Sequence, residues 1–522
     1  MRIHSALLFS LVAVSATVAQ KLGKRTKDAQ VLILGGGMAG TIAARTLHEK
    51  GIDDFIILEG KTELGGRILS DSFGATGKNF TVEMGPSWIH GTQTGNGTAN
   101  PVYSLALKHN LSMANNDWYG NITTYDYTGA NNYLSVFHNA VSVYKNATVL
   151  AGERVDKKLV DMSLQSGYMM LNATAKTPQQ AASEYYQADW QCKWRDSCTN
   201  VIDRILMGLS ALQNYKSTML TIPQRHNFTY DTDVGGFSLN NSMSIDPRGF
   251  KIIVQAEAQE FLQPQQLLLN HTVAKIEYDS DGVTVTITNG TVLTADYVLC
   301  TFSVGVLQNT DVVFEPKLPD WKVEAISSID MTTETKIYLQ FAEKFWFKTQ
   351  MALYADETRG RYPVWQSLDQ GGFYPGSGII FVTVTGSESV RVNSLNDTQV
   401  QAEVMEVLQT MYPNTTIPQP TAFHLARWNT NTIYRGAYSN WPASFVNGHA
   451  QNLRATVGDR MWFAGEATSL KYYGSLQGAY FEGEDVATQL AECIQEGDCD
   501  SLGYVEDVMN ARPYTISNTT SN

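Results

Sequence analysis

Gly35, Gly37 and Gly40 stand at the first, third and last places of the run Gly35-Gly36-Gly37-Met38-Ala39-Gly40, and Glu59 follows further along. Residues of these types at this spacing can hold a dinucleotide. The first glycine permits a tight turn and the second lets the backbone approach a pyrophosphate. The third lets a helix pack closely on a strand, and the carboxylate accepts ribose hydroxyls. Position matters as much as type, because phosphate is attracted by unpaired N–H groups at a helix N-terminus reached directly from a strand. Both elements are legible. The apolar run Val31-Leu32-Ile33-Leu34 precedes the glycines and a helical pattern from Thr41 to Lys50 follows them. Gly51 stops the helix, and Phe55-Ile56-Ile57-Leu58 makes a second strand that Glu59 closes. A glycine-rich loop alone is a weak signal; strand, turn, helix, stop, strand and acid in this order define a βαβ nucleotide unit.

Immediately downstream, Glu63-Leu64-Gly65-Gly66-Arg67 adds a second glycine pair and a fixed cation, Arg67, for the same diphosphate. This extension distinguishes a flavin site from a nicotinamide one. With it, and with Glu83-Met84-Gly85-Pro86-Ser87-Trp88-Ile89-His90-Gly91, the chain resembles the FAD-dependent amine oxidase family over most of its length, and within it the extracellular polyamine oxidases. The resemblance implies an α/β fold, an α+β two-domain flavoprotein. In it a Rossmann-like FAD-binding domain (28–111, 225–323 and 441–500) is interleaved with a substrate domain (112–224 and 324–440) of a mixed sheet flanked by helices.

Composition fits a globular protein of two or three domains, with 522 residues, 43% hydrophobic and 17% charged. The formal charge of -13 argues against nucleic acid as a partner; it either draws in a cationic substrate or simply solubilises the surface. A short basic start, the apolar stretch Ala6 to Val18 and the small residues Thr17-Val18-Ala19 read as a secretory signal peptide over 1–19, with a signal anchor as the alternative. Lys24-Arg25 offers a further processing point. Thirteen N-x-S/T sequons between Asn79 and Asn518 agree with export. The tail 501–522 is polar, without a GPI or retention signal, so a released extracellular protein with no membrane anchor is expected. Cys192 and Cys198 share their spacing with Cys493 and Cys499, which reads as two local disulfides in an oxidising compartment or, alternatively, as unpaired thiols. Cys300 lies in an apolar strand as the odd one out. No Cys/His cluster has metal-ligand spacing, so no metal is expected.

The second half of the chain carries the rest of the cofactor site. After a mixed helical region, in which Tyr185, Tyr186 and Trp190 are either core or pocket wall, strands are expected at His271 to Ile276, Gly282 to Ile287, Val292-Leu293 and Asp296 to Cys300. The resemblance implies that the backbone of Val273 holds the adenine. Met461-Trp462-Phe463-Ala464 reads as a strand ending in Gly465-Glu466, and Gly474 opens a helix that runs to about Glu492. A helix N-terminus aimed at a flavin stabilises negative charge on the reduced ring. By resemblance Glu466 contacts the ribityl or phosphate region, while Trp428 and Tyr434 flank the isoalloxazine. Family members with covalent flavin attach it through a cysteine between the lysine strand and the Gly-Glu motif. No cysteine lies between Cys300 and Cys493, so non-covalent FAD is expected.

Catalytic roles also come from the resemblance, since the flavin carries the redox chemistry. Lys336, in Glu334-Thr335-Lys336-Ile337-Tyr338-Leu339, matches the family lysine that holds a water against the flavin; a lysine on an alternating strand otherwise points to solvent. His90 matches a histidine placed to orient the substrate amine or take up a proton, or else is a satisfied core histidine. Gln191 falls where some extracellular relatives carry a carboxylate for the distal amine. Tyr438 matches one ring of an aromatic clamp, whereas the other ring position corresponds to Ser475, with Tyr472 and Tyr473 upstream to fill the gap. The expected activity is oxidation of a secondary amine of spermine, spermidine or an acetylated derivative, with O2 reduced to H2O2. The alternatives are an FAD-dependent L-amino acid or monoamine oxidase and, more remotely, a non-enzymatic escort protein on the same fold. Oligomeric state is not legible.

Overall fold

The structure, a computed structural model, describes residues 27–118, 122–156, 163–190 and 237–509 apart from the single positions 239, 443, 498, 500 and 501. The expected signal segment, Gln191, Cys192, Cys198 and the end of the tail lie outside the described residues.

Ala29–Leu34 is almost wholly apolar because it is buried on both faces, as the central strand of a parallel core must be. It pairs in parallel with Phe55–Glu59 on one side and with Val292–Cys300 on the other. The whole sheet has eight strands, continuing through Leu267–Leu269 at one edge and through Gly282–Ile287, Val273–Asp279 and Val313–Glu315 toward the other. Val292–Cys300 is one long strand where two short ones were expected. It forks: its first half pairs antiparallel with Gly282–Ile287, and its last residues pair in parallel with Met461–Phe463. The C-terminal strand thereby enters the same sheet beside the glycine turn.

The dinucleotide helix spans Met38–Glu49, starting a turn earlier than its apolar pattern suggests, because the chain becomes helical as soon as it leaves Gly37. Gly40 therefore sits in the first helical turn, where an added Cβ would lie 1.9 Å from the Gly35 carbonyl oxygen. The C-terminal helix Leu476–Glu496 crosses it closely at Gly483, whose Cβ would lie 2.4 Å from the Ala39 carbonyl oxygen. Cys493 and Cys499 form a disulfide at the end of this helix, and Cys300 is a buried free thiol.

A second sheet of seven strands runs in the order Ala422–Leu425, Glu334–Gln340, Ile379–Thr385, Val364–Ser367, Met351–Ala355, Ile122–Asp126 and Gly129–Ala130. It is mixed through one parallel pair, Met351–Ala355 with Ile122–Asp126. Side chains alternate across it. Ile337 and Leu339 belong to the buried cluster that holds Val404 and Leu408 of the helix Asp397–Met411, whereas Tyr338 belongs to the cluster on the other face with Phe73, Val82 and Trp88. Lys336 shares the Tyr338 face. Tyr185, Tyr186 and Trp190, at the junction of the helix Pro178–Tyr185 and a single π-helical turn, belong to the core on that side. The Tyr186 hydroxyl donates to the Trp118 carbonyl at 2.7 Å.

Candidate active site

A cavity of about 390 Å³ lies between the glycine turns, the start of the C-terminal helix and the inner face of the second sheet. At one end the two glycine motifs meet. Gly66 takes φ +57°, and a Cβ there would lie 3.1 Å from the Gly37 Cα. A narrow glycine-walled passage of this kind admits a diphosphate against bare backbone. Glu59 accepts from the Gly36 N–H through Oε2 and from the Lys61 N–H through Oε1, both at 2.8 Å. Each carboxylate oxygen has capacity for a further donor, such as a ribose hydroxyl. Gly35, Gly37, Glu59, Gly66 and Val273 all line this end; Gly40 does not, and serves helix-to-strand packing instead.

The middle of the cavity is organised by one carboxylate. Glu466 Oε1 accepts from Arg67 Nη1 at 2.8 Å, and Oε2 accepts from the Gly474 N–H at 2.7 Å and from the Ser439 hydroxyl. The Ser439 N–H adds a bond at 3.1 Å. Glu466 thus lines the cavity with its lone pairs already engaged by protein donors, which makes it the clamp that holds Arg67 and the helix entry in place. Gly465 beside it has φ +155°. The helix begins at Leu476, and Gly474, Ser475, Leu476 and Ala479 all face the cavity, bringing the positive end of the dipole to it.

At the second ring position of the expected clamp, Ser475 stands at the cavity as the sequence suggests, and the tyrosines upstream do not take its place. Ser475 lines the cavity, but its hydroxyl caps the helix, accepting from the Gly478 N–H at 3.3 Å and donating to the Tyr472 carbonyl at 2.6 Å. An aromatic ring at this place cannot make that cap. Tyr473 does not fill the gap, because its ring stacks on buried Trp441 at 4.4 Å and it is not among the lining residues. Tyr472 is likewise absent from the wall and stacks on Phe481.

The other end is aromatic. Trp428 and Tyr434 form a corner with ring centroids 5.1 Å apart, and the Tyr434 hydroxyl donates to the Gly66 carbonyl at 3.2 Å. Trp88, His90 and Tyr438 also line the cavity. His90 is buried on the strand Trp88–His90, with its ring 5.5 Å from Trp118. The Trp88 and Trp118 indole N–H groups both donate to Asn116 Oδ1 at 2.6 Å.

Lys336 is not exposed to solvent as a lysine on an alternating strand would ordinarily be. It is 3% exposed and lies directly behind the wall, where its Nζ donates to the Gly85 carbonyl, the Ser87 hydroxyl and, at 3.3 Å, the Glu83 carbonyl. The Nζ also sits 5.0 Å over the Trp88 ring. Gly85 and Trp88 line the cavity, so a single layer of residues separates the ammonium from it.

Two acids went unnoticed in the sequence. Glu83 is buried, and burial pushes its carboxyl up to about 7 against the pull of bonds from Ser70, Phe250 and Ser244 and the charge of Lys336. Glu334 lines the cavity and accepts from the Tyr438 hydroxyl at 3.2 Å. Its signal was available, since Glu334 and Lys336 are two apart on one strand and share a face.

A parallel-cored nucleotide sheet, joined to a mixed sheet by a cavity with glycine turns at one end and aromatic rings at the other, is the build of a flavoenzyme acting on a small organic substrate. Residues 38–491 match the family described as flavin containing amine oxidoreductase. Polyamine oxidase 1 of Zea mays is 33% identical over 519 residues, covering 95% of this chain and 96% of that protein. Polyamine oxidase 7 of Oryza sativa subsp. japonica is 31% identical, covering 92% of this chain and 98% of its own length. Among solved structures, a redesigned double mutant of putrescine oxidase superposes with a TM-score of 0.65 at 14% identity, covering 88% of this chain and 98% of its own. The chain therefore belongs to the flavin-containing amine oxidoreductase family, and it is an FAD-dependent amine oxidase.

Proposed function

We propose that this oxidase is secreted and acts on polyamines, oxidising a secondary amine of spermine, spermidine or an N-acetyl derivative to an imine that hydrolyses to an aldehyde and a shorter amine. The observation that carries the reading is the composition of the cavity wall. Its aromatic end joins Trp88, His90 and Tyr438 to the carboxylate Glu334, and Arg67, the one Arg or Lys among the described lining residues, is ion-paired to Glu466. A wall of that kind suits a cationic amine, and among its described residues no uncommitted arginine or lysine stands ready for an amino acid's carboxylate. The names of the relatives from Zea mays and Oryza sativa point the same way.

FAD, held non-covalently, supplies the two-electron oxidation when bound and passes the electrons to O2 to give H2O2. The chain's part is to position and to manage protons. Glu59 and the Gly37–Gly66 passage hold the nucleotide, while Trp428 and Tyr434 wall the ring end. His90 orients the amine, Tyr438 packs against its carbon chain, and Lys336 serves proton movement from behind the Gly85–Trp88 wall. Export is supported by the N-terminal segment, by the Cys493–Cys499 disulfide and by the exposure of every sequon asparagine among the described residues, Asn79 and Asn414 among them.

The test is peroxide release by the purified yellow protein from spermine, spermidine, their N-acetyl forms, putrescine, monoamines and L-amino acids, with Lys336→Met alongside. Turnover of polyamines that falls at least tenfold in the variant is the expected result. Turnover of monoamines or amino acids alone refutes the polyamine assignment. For export, full-length protein expressed in a eukaryotic host is expected in the medium and to lose mass on enzymatic removal of N-glycans.

A further inference from the structure

The carboxylates that line the cavity among the described residues differ in where they stand. Glu59 belongs to the nucleotide end, Asp311 forms a two-point ion pair with Arg435, and Glu466 clamps Arg67 to the helix entry. Glu334 alone of the four stands on the strand that carries Lys336. It is 7% exposed, and its neighbour Tyr438 lines the same wall as Trp88 and His90. The strand Tyr438–Asn440 bearing that phenol is pinned to Asp330–Thr332 immediately before Glu334, so the bond from the Tyr438 hydroxyl to Glu334 Oε2 joins two fixed pieces of backbone. Burial and the neighbouring carboxylate keep the Tyr438 phenol protonated and donating. A carboxylate held by a fixed phenol and largely out of water attracts an ammonium group far more strongly than one on the surface.

We propose that Glu334 is a specificity-determining residue that pairs with a protonated amino group of the substrate, selecting amines with a second, cationic nitrogen over monoamines. This rests on the polyamine reading for its physiological sense, but its physical content is a cation site that can be measured separately.

The test uses the FAD-loaded enzyme, Glu334→Gln and Glu334→Asp. Titration with 1,8-diaminooctane and with 1-aminooctane is read from the perturbation of the bound-flavin absorbance. In the unaltered enzyme the diamine is expected to bind at least tenfold more tightly than the monoamine, with the preference lost in the glutamine variant and partly restored by aspartate. In turnover, KM for spermidine is expected to rise at least tenfold in the glutamine variant, with kcat within a factor of about three. A preference that survives in the glutamine variant, an equal loss for both ligands, or no preference in the unaltered enzyme overturns the proposal. Should the unaltered enzyme oxidise no polyamine, the polyamine assignment falls while the diamine titration still decides the role of Glu334.

Discussion

Replacing Glu83 with glutamine tests how the wall behind the cavity is held together. The carboxyl accepts from the Ser70 hydroxyl at 2.6 Å, the Phe250 N–H at 2.7 Å and the Ser244 hydroxyl at 3.2 Å, and its backbone carbonyl takes bonds from Lys336 and Tyr338. Burial nevertheless dominates and raises the group from 4.5 to about 7. A pKa raised on folding means that the native state binds the proton more tightly than the unfolded one. The stabilisation from the protonated carboxyl is complete below 4.5 and is lost as pH rises through about 7. At 1.36 kcal/mol per unit, ionisation costs the native state about 1 kcal/mol at pH 5 and about 3 kcal/mol at pH 8. Glutamine matches the shape, keeps an acceptor for Phe250, can donate to Ser70 and does not titrate. The variant should therefore gain about 2 kcal/mol on the parent between pH 5 and pH 8, or roughly 2 °C in a chain of this size. Melting both proteins at a single scan rate at pH 5, 6, 7 and 8, followed by flavin fluorescence, measures it. A stability gap that does not vary with pH, or that moves toward the parent as pH rises, refutes the reasoning.

Two further outcomes follow from the cofactor end. Gly66→Ala places a Cβ at φ +57° and 3.1 Å from the Gly37 Cα, so the purified variant should fold, by circular dichroism, yet carry less than half the parent's flavin absorbance per mole after dialysis; full occupancy would contradict the glycine passage. Ser475→Ala removes the cap of the helix Leu476–Glu496 and should cost about 1 kcal/mol in denaturant unfolding, with Ser475→Thr restoring most of it; an unchanged midpoint would show that the hydroxyl is not needed there.

Local demands on the backbone were the readable part of this protein. Gly35, with φ +114°, and the close packing at Gly40 need glycine whatever surrounds them, and the run Val31 to Leu34 declares a strand buried on both faces. Lys336 shows where such reading stops. Its strand alternates Thr335, Ile337 and Leu339 with Glu334, Lys336 and Tyr338, a pattern that one sheet face in water would also produce. What covers that polar face is the segment Glu83 to Trp88, far away in sequence, and only its arrival turns the lysine into a buried donor. The place of the tyrosines beside the clamp was illegible for a related reason. Whether Ser475, Tyr472 or Tyr473 faces the cavity is settled by where the helix starts and by the Trp441 and Phe481 rings that capture the tyrosines.

The amino-acid sequence by itself determined the βαβ cradle and the acid at its edge, because turn conformation, hydrophobic period and helix stops act over a few residues. The tertiary structure alone decided which polar and charged groups meet: Arg67 with Glu466, Tyr438 with Glu334, Lys336 with the Glu83 carbonyl. These partners are separated by a hundred residues or more, and their pairing is set by the fit of two sheets around one cavity, a geometry that leaves no periodicity in the chain.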